Sequence, residues 1–179
     1  MIALIEFSLP GETLVHGPTP VVHVGHTARV ARLLGDRLNV SPLSLQPQTT
    51  YPVDYEAVLR RAKLELTGQA LPAIQPLSST TLQAPIWFLG YPIWFGHVPR
   101  VIATLLTQVP TPPKVIYPFV THEGSGLGQS MADLQRLCPT AVVQPGLPIR
   151  GSRVARAAPA VDHWLQSYFD QPSIQSKEI

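Results

Sequence analysis

Apolar runs that do not alternate recur along this chain, and each is followed by a segment in which apolar residues return every three or four positions. Residues 2–7 read as a first strand, apolar apart from Glu6 and closed by Ser8. Residues 9–24, rich in Pro and Gly, form an unusually long connection for a compact domain, and such loops are often functional. Residues 25–38 predict a helix with Val30, Leu33, Leu34 and Leu38 on one face and Arg29, Arg32, Asp36 and Arg37 mostly elsewhere; the Thr27 hydroxyl stands where it can cap free amides. Residues 39–45 predict a weak strand that Pro42 pushes to a sheet edge.

Residues 54–66 predict a second helix, capped by Asp54, with Val58, Leu59, Ala62 and Leu66 as its apolar stripe. A loop is expected over 67–84. Residues 85–89 are apolar without alternation, as in a strand covered by helices on both faces. A loop then carries Gly90, Pro92 and Gly96 with three aromatics, Tyr91, Trp94 and Phe95. Helix 98–108 has Pro99 in its first turn and ends near Pro110. A strand over 114–120, a loop over 121–126, a helix over 127–137, a last strand over 141–144, a loop over 146–153 and a terminal helix over 157–169 complete the pattern. Residues 171–179 read as a frayed tail. Five strands alternating with helices imply a single domain over 1–170, an α/β doubly wound five-stranded parallel sheet with helices on both faces.

Composition narrows the function. A formal charge of +2, with Arg and Lys scattered instead of clustered in a run, gives nucleic-acid binding little support. The 20 prolines fit long loops, and the lone Cys138 excludes an intrachain disulfide and fits a reducing compartment. No stretch suits a signal peptide or a membrane span, so a soluble cytoplasmic protein is expected. His16, His23 and His26 lack the partner carboxylates that would argue for a metal.

Ligands of doubly wound sheets bind outside the carboxyl ends of the strands, where the strand order reverses. Three loops answer to that position, 8–27, 91–96 and 121–126. A phosphate at the start of the first helix would meet backbone amides, the helix dipole and the hydroxyls of Ser8 and Thr27. Aromatics of the second loop would cover a planar ring. Trp94 and Phe95 also admit core packing or a homodimer contact, and Trp87, inside its strand, reads as core.

Taken in order, Ser8, Gly25-His-Thr27, Gly90-Tyr-Pro-Ile-Trp-Phe-Gly96, Thr121-His-Glu-Gly-Ser-Gly-Leu-Gly128, Leu137-Cys-Pro139 and Ile149-Arg-Gly-Ser-Arg153 resemble the marks of the flavodoxin-like, FMN-binding family. The resemblance covers residues 1 to about 165 and implies strand order 2-1-3-4-5 with FMN at the switch point, the arrangement known for flavodoxin. It implies that Ser8, Gly25, His26 and Thr27 hold the phosphate. It implies that Pro92, Ile93, Trp94, Phe95 and Gly96, with Thr121, His122, Gly124, Ser125 and Gly126, border the flavin ring. Three departures stand out: His26 replaces the family's usual Asn, Val24 its usual Thr or Ser, and an insertion over 9–22 separates Ser8 from Gly25.

Electron-shuttling flavodoxins are strongly acidic, whereas this chain is close to neutral, which points to an FMN-dependent NAD(P)H oxidoreductase of quinones or similar small acceptors more than to the shuttle of a redox protein. Glu123 is expected to face solvent. Two other classes stay open: a flavodoxin-fold interaction module that has lost FMN, and a serine hydrolase using Ser125 with His122 or His163 as base, although Glu123 and Leu127 stand where G-x-S-x-G needs its outer glycines. Arg150, Arg153 and Arg156 recur every three residues, in reach of a pyridine-nucleotide phosphate or simply solvated.

Overall fold

The computed structural model describes residues 1–15 and 17–170; His16 and the tail expected to fray at 171–179 lie outside the described residues. The first half runs β1 (Ile2–Glu6), β2 (Gly11–Glu12), β3 (Val21–Val22), α1 (His26–Leu38), β4 (Leu43–Ser44), α2 (Tyr55–Thr67) and α3 (Ser79–Leu82). The second half runs β5 (Ile86–Pro92), α4 (Arg100–Gln108), β6 (Val115–His122), α5 (Ser130–Leu137), β7 (Val142–Val143), β8 (Leu147–Arg150), a 3₁₀ helix (Gly151–Arg156) and α6 (Ala158–Phe169).

The main sheet is parallel, in the order β4-β1-β5-β6-β7, with β8 also paired to β6. Val115 and Ile116 face β7, while Phe119 to His122 face β8, so the two short strands are successive parts of one edge. Counted as one, they complete the order 2-1-3-4-5. The loop expected over 146–153 is therefore a strand and a 3₁₀ helix. Pro148 is tolerated there because β8 lies at the edge, where a missing donor can face outward. The interruption is pinned from outside by the Trp164 indole N–H, which donates to the Pro145 carbonyl at 2.8 Å.

Two other expectations shift. The long connection after β1 folds back as an antiparallel ribbon, Gly11 opposite Val22 and Glu12 opposite Val21. The loop expected over 67–84 contains α3, capped by the Ser78 hydroxyl, which accepts from Thr81 N–H. The Asp54 cap of α2 is observed, its carboxylate accepting from Ala57 N–H at 2.7 Å.

Alternate residues of the central strands divide the core into two layers. Leu4, Phe88, Tyr117 and Phe119 pack against Val30 and Leu34 of α1 and Val161 and Leu165 of α6. Ile5, Trp87, Leu89 and Val120 pack against Val58 of α2, Val101, Ile102 and Leu105 of α4, and Leu134 of α5. The strands are thus apolar on both faces, which is why their sequences do not alternate. No helix among the described residues is long and apolar enough to cross a membrane.

The buried side chains are not all apolar. Glu6 is buried at the end of β1, one carboxylate oxygen has no hydrogen-bond partner among the described residues, and burial pushes its carboxyl above the ordinary 4.5 despite Ser44 and Arg32. The folded chain therefore holds this proton more tightly than the unfolded one, and Glu6 takes stability away as pH rises from about that ordinary value through the raised one. Glu6→Gln is expected to melt higher than the parent at pH 8, with the gap closing toward pH 4; thermal scans across that range check it.

Candidate functional site

The reversal of strand order falls between β1, which is followed by β4 on one side, and β5, which lies on the other. A cavity of about 340 Å³ opens there. Its floor and walls include Ser8, His26, Thr27, Pro92, Ile93, Trp94, Phe95, Thr121 and His122.

Each wall follows from local chemistry. Gly25, the residue before α1, is extended and offers no side-chain cap, and no acidic residue occupies the first turn, so the opening amides of α1 are available to a ligand. A Cβ on Gly25 would overlap the Ser8 hydroxyl and the Leu9 carbonyl, so only glycine lets the β1 loop lie against the helix. The Thr27 and Thr121 hydroxyls, both buried, share a hydrogen bond of 2.7 Å that ties the first turn of α1 to the end of β6.

The aromatic segment is more ordered than a loop. β5 continues through Gly90, Tyr91 and Pro92, and Tyr91 is a fully buried strand residue. That corrects the expected set of three loop aromatics: Tyr91 belongs to the core, its burial driving the phenol pKa up. Trp94 and His97 exchange backbone hydrogen bonds of 3.1 and 2.9 Å across Phe95 and Gly96, whose φ values are 51° and 83°. Positive φ at both central positions makes this a tight hairpin turn of type I′. Trp94 stands edge-on to Phe7 and Tyr51, so its ring is fixed by the core while lining the cavity. Phe95 is exposed, with the Lys63 ammonium 5.1 Å from its ring.

Five expected residues are not in the lining. Gly25 lies behind Ser8, and Gly96 accepts from Gln129 N–H at 2.6 Å, which joins the two loops. Gly124 and Ser125 are exposed, and Gly126 N–H donates to His122 Nδ1 at 3.1 Å. The 124–126 loop therefore acts through His122: with Nδ1 accepting, the neutral ring carries its proton on Nε2. Burial and Arg150 lower the His122 pKa, keeping the ring neutral. Among the described residues no histidine hydrogen-bonds Ser125, and the His122 Nδ1 is taken by Gly126 N–H.

Glu123 does not face solvent as expected. Its carboxylate accepts from Ser152 N–H at 2.5 Å and from the Ser152 hydroxyl at 3.1 Å, and it lines the cavity. These donors, 29 residues away, make an inward carboxylate stable. His26 packs against Gly151, and both ring nitrogens are buried with no hydrogen-bond partner among the described residues. Burial first, then Arg29, lowers its pKa.

The long first loop supplies walls that composition does not reveal. Thr13 and Leu14 line the cavity, as do Leu9 and Pro10, while Glu12 accepts from Tyr55 N–H at 2.9 Å and so fastens the ribbon to the start of α2. Tyr55, Val58 and Leu59 complete that side.

A parallel sheet in the order 2-1-3-4-5, helices on both faces and a cleft at the point of strand reversal define the flavodoxin-like class of α/β proteins. The chain belongs to the flavodoxin family, whose sequence model matches residues 21–168. No curated protein matches it. Among solved structures, it resembles a candidate flavoprotein of Bacteroides eggerthii DSM 20697 at 24% identity and a TM-score of 0.72, over 95% of this chain and 98% of that one. A second from Bacteroides uniformis ATCC 8492 aligns at 23% identity and a TM-score of 0.72, over 92% and 97% of the two chains. A flavoprotein of Lactobacillus acidophilus NCFM, solved in complex with FMN, aligns at 19% identity and a TM-score of 0.64, over 87% and 96%.

Proposed function

We propose that this chain binds FMN in the cavity between β1 and β5 and uses it to pass electrons or hydride from NAD(P)H to quinones or similar small acceptors. The observation that carries the reading is a cavity at the strand reversal with the uncapped amino end of α1 on one side and the fixed Trp94 ring on the other. Membership of the flavodoxin family and the FMN complex of the Lactobacillus acidophilus protein support it.

The residues fit the cofactor. The first amides of α1 and the hydroxyls of Ser8 and Thr27 would receive a phosphate, with favourable helix polarity. The nitrogens of His26, orphaned among the described residues, mark a polar site that a ligand oxygen would satisfy. Trp94 and Phe95 would border a planar ring, and His122 would present its Nε2 proton at the cavity wall. Glu123 is neutralised locally by Ser152 and by Arg150, whose guanidinium stands 3.9 Å from the carboxylate, so its charge does not oppose an electron-rich ligand. Bound FMN supplies the redox chemistry, taking two electrons and a proton from a donor and passing them to an acceptor.

The near-neutral formal charge of +2 supports small acceptors over a charge-steered protein partner. Anaerobic titration of the FMN-loaded chain with NADH, then NADPH, then candidate quinones tests the redox reading. Bleaching of the flavin and its return with quinone are expected; a flavin that neither nucleotide bleaches would contradict it. Thr27→Ala is expected to weaken FMN binding by about 1–3 kcal/mol through loss of a buried charge-assisted bond. Unchanged affinity in a fluorescence titration would remove Thr27 from the phosphate site.

A further inference from the structure

A second cleft lies beside the flavin cavity, separated from it by His122, which lines both. It is bounded by Pro148, Ile149, Ala157 and Ala160 and by three arginines, Arg150, Arg153 and Arg156. The local backbone lines these arginines up. Arg150 is the residue before the 3₁₀ helix Gly151–Arg156, and at three residues per turn side chains at i and i+3 eclipse. The three guanidinium stems therefore rise from one ridge.

Their partners are unequal. Arg150 is committed to Glu123, donating to its carbonyl at 3.2 Å. Arg153 and Arg156 are exposed and make no hydrogen bond or ion pair with any described residue. Among the described residues no carboxylate stands in the cleft lining, and within them two adjacent positive charges have nothing opposite them. Like charges one turn apart repel, and an anion between them would reverse the sign of that interaction. The guanidinium fork suits a phosphate, which it can meet with two parallel N–H donors, and the small Ala157 and Ala160 side chains leave it room.

Resting on the flavin reading, we propose that Arg153 and Arg156 hold the phosphate monoester of the electron donor, a nicotinamide dinucleotide bearing a 2′-phosphate, whose other end reaches the flavin cavity past His122. A dianionic monoester meets two free guanidinium groups better than the single charges of a bridging pyrophosphate. The shared wall explains why this anion site lies here: a donor held on the ridge has access to the flavin without crossing the ribbon. The donor of preference is then the 2′-phosphorylated dinucleotide over its unphosphorylated counterpart.

Calorimetric titration of the FMN-loaded full chain with adenosine 2′,5′-bisphosphate and with adenosine 5′-monophosphate tests this without any turnover. The bisphosphate is expected to bind roughly tenfold tighter or more, and the double variant Arg153→Ser, Arg156→Ser to lose that preference while keeping its FMN affinity and melting temperature. Equal binding of the two nucleotides, or an undiminished preference in the variant, overturns the inference and leaves the flavin reading standing. If the variant loses FMN, the ridge serves the flavin itself and the inference also fails. A parent chain that never takes up FMN overturns both.

Discussion

Phe88→Ala is expected to destabilise the chain by about 3–5 kcal/mol, the range for truncating a buried aromatic, while leaving the FMN affinity of the folded protein within about twofold. Phe88 has no exposed surface and stacks on Tyr117, ring centroids 4.9 Å apart. It also meets Trp164 and Tyr168 of α6 edge-on at 5.9 and 5.2 Å. One truncation thus opens a cavity and removes aromatic pairs that dock α6 on the sheet. This cluster belongs to the layer containing α1 and α6, whereas Trp94 packs with the opposite layer. Denaturant unfolding followed by near-ultraviolet circular dichroism reads the stability, and a flavin titration below the melting range reads the site. A loss under about 1 kcal/mol would mean that the aromatic cluster does not hold α6 as described.

Gly25→Ala is expected to do the reverse, costing about 3 kcal/mol of FMN binding, on the order of a hundredfold in Kd, with a smaller stability loss of about 1–3 kcal/mol. The added methyl would overlap the Ser8 hydroxyl, which can rotate, and the Leu9 carbonyl, which is backbone and cannot yield without moving the loop. That displacement separates the Ser8 hydroxyl from the first amides of α1, the two groups proposed to converge on one phosphate. Fluorescence titration of the variant with FMN, alongside its melting curve without ligand, checks both numbers. Binding as tight as the parent's would show that the phosphate sits elsewhere.

Much of this fold is legible in the sequence because two-sided burial writes itself into unbroken apolar runs. β1, β5 and β6 are such runs, and α1 and α2 carry their stripes in Val30 and Leu34 and in Val58 and Ala62. The failures arise where a distant residue decides. Gly90 looks like the start of a loop, yet it is a strand glycine because the Phe119 ring fills the space a Cβ would need. Pro148 hides β8, since a proline is acceptable only once the strand is known to be an edge.

The site divides in the same way. Ser8, His26, Thr27 and Trp94 could be read from their positions after strands or at a helix start, and all line the cavity. Phe95 and Gly96 form a type I′ turn without the Asn-Gly pair that usually announces one. Glu123 turns inward because of Ser152, a partner that nothing in its own neighbourhood suggests. The walls given by Thr13, Leu14 and Tyr55 exist only because the ribbon folds back and Glu12 bonds to Tyr55 N–H. Long-range hydrogen bonds of this kind leave no local periodicity to read.

Titration of the purified, flavin-free chain with FMN, followed by flavin fluorescence and by melting temperature, tests whether the cavity between β1 and β5 holds the cofactor. The expected result is saturation at one FMN per chain, with fluorescence quenched against Trp94 and melting shifted upward with ligand concentration. A chain that stays colourless and gains no protection from excess FMN would contradict it.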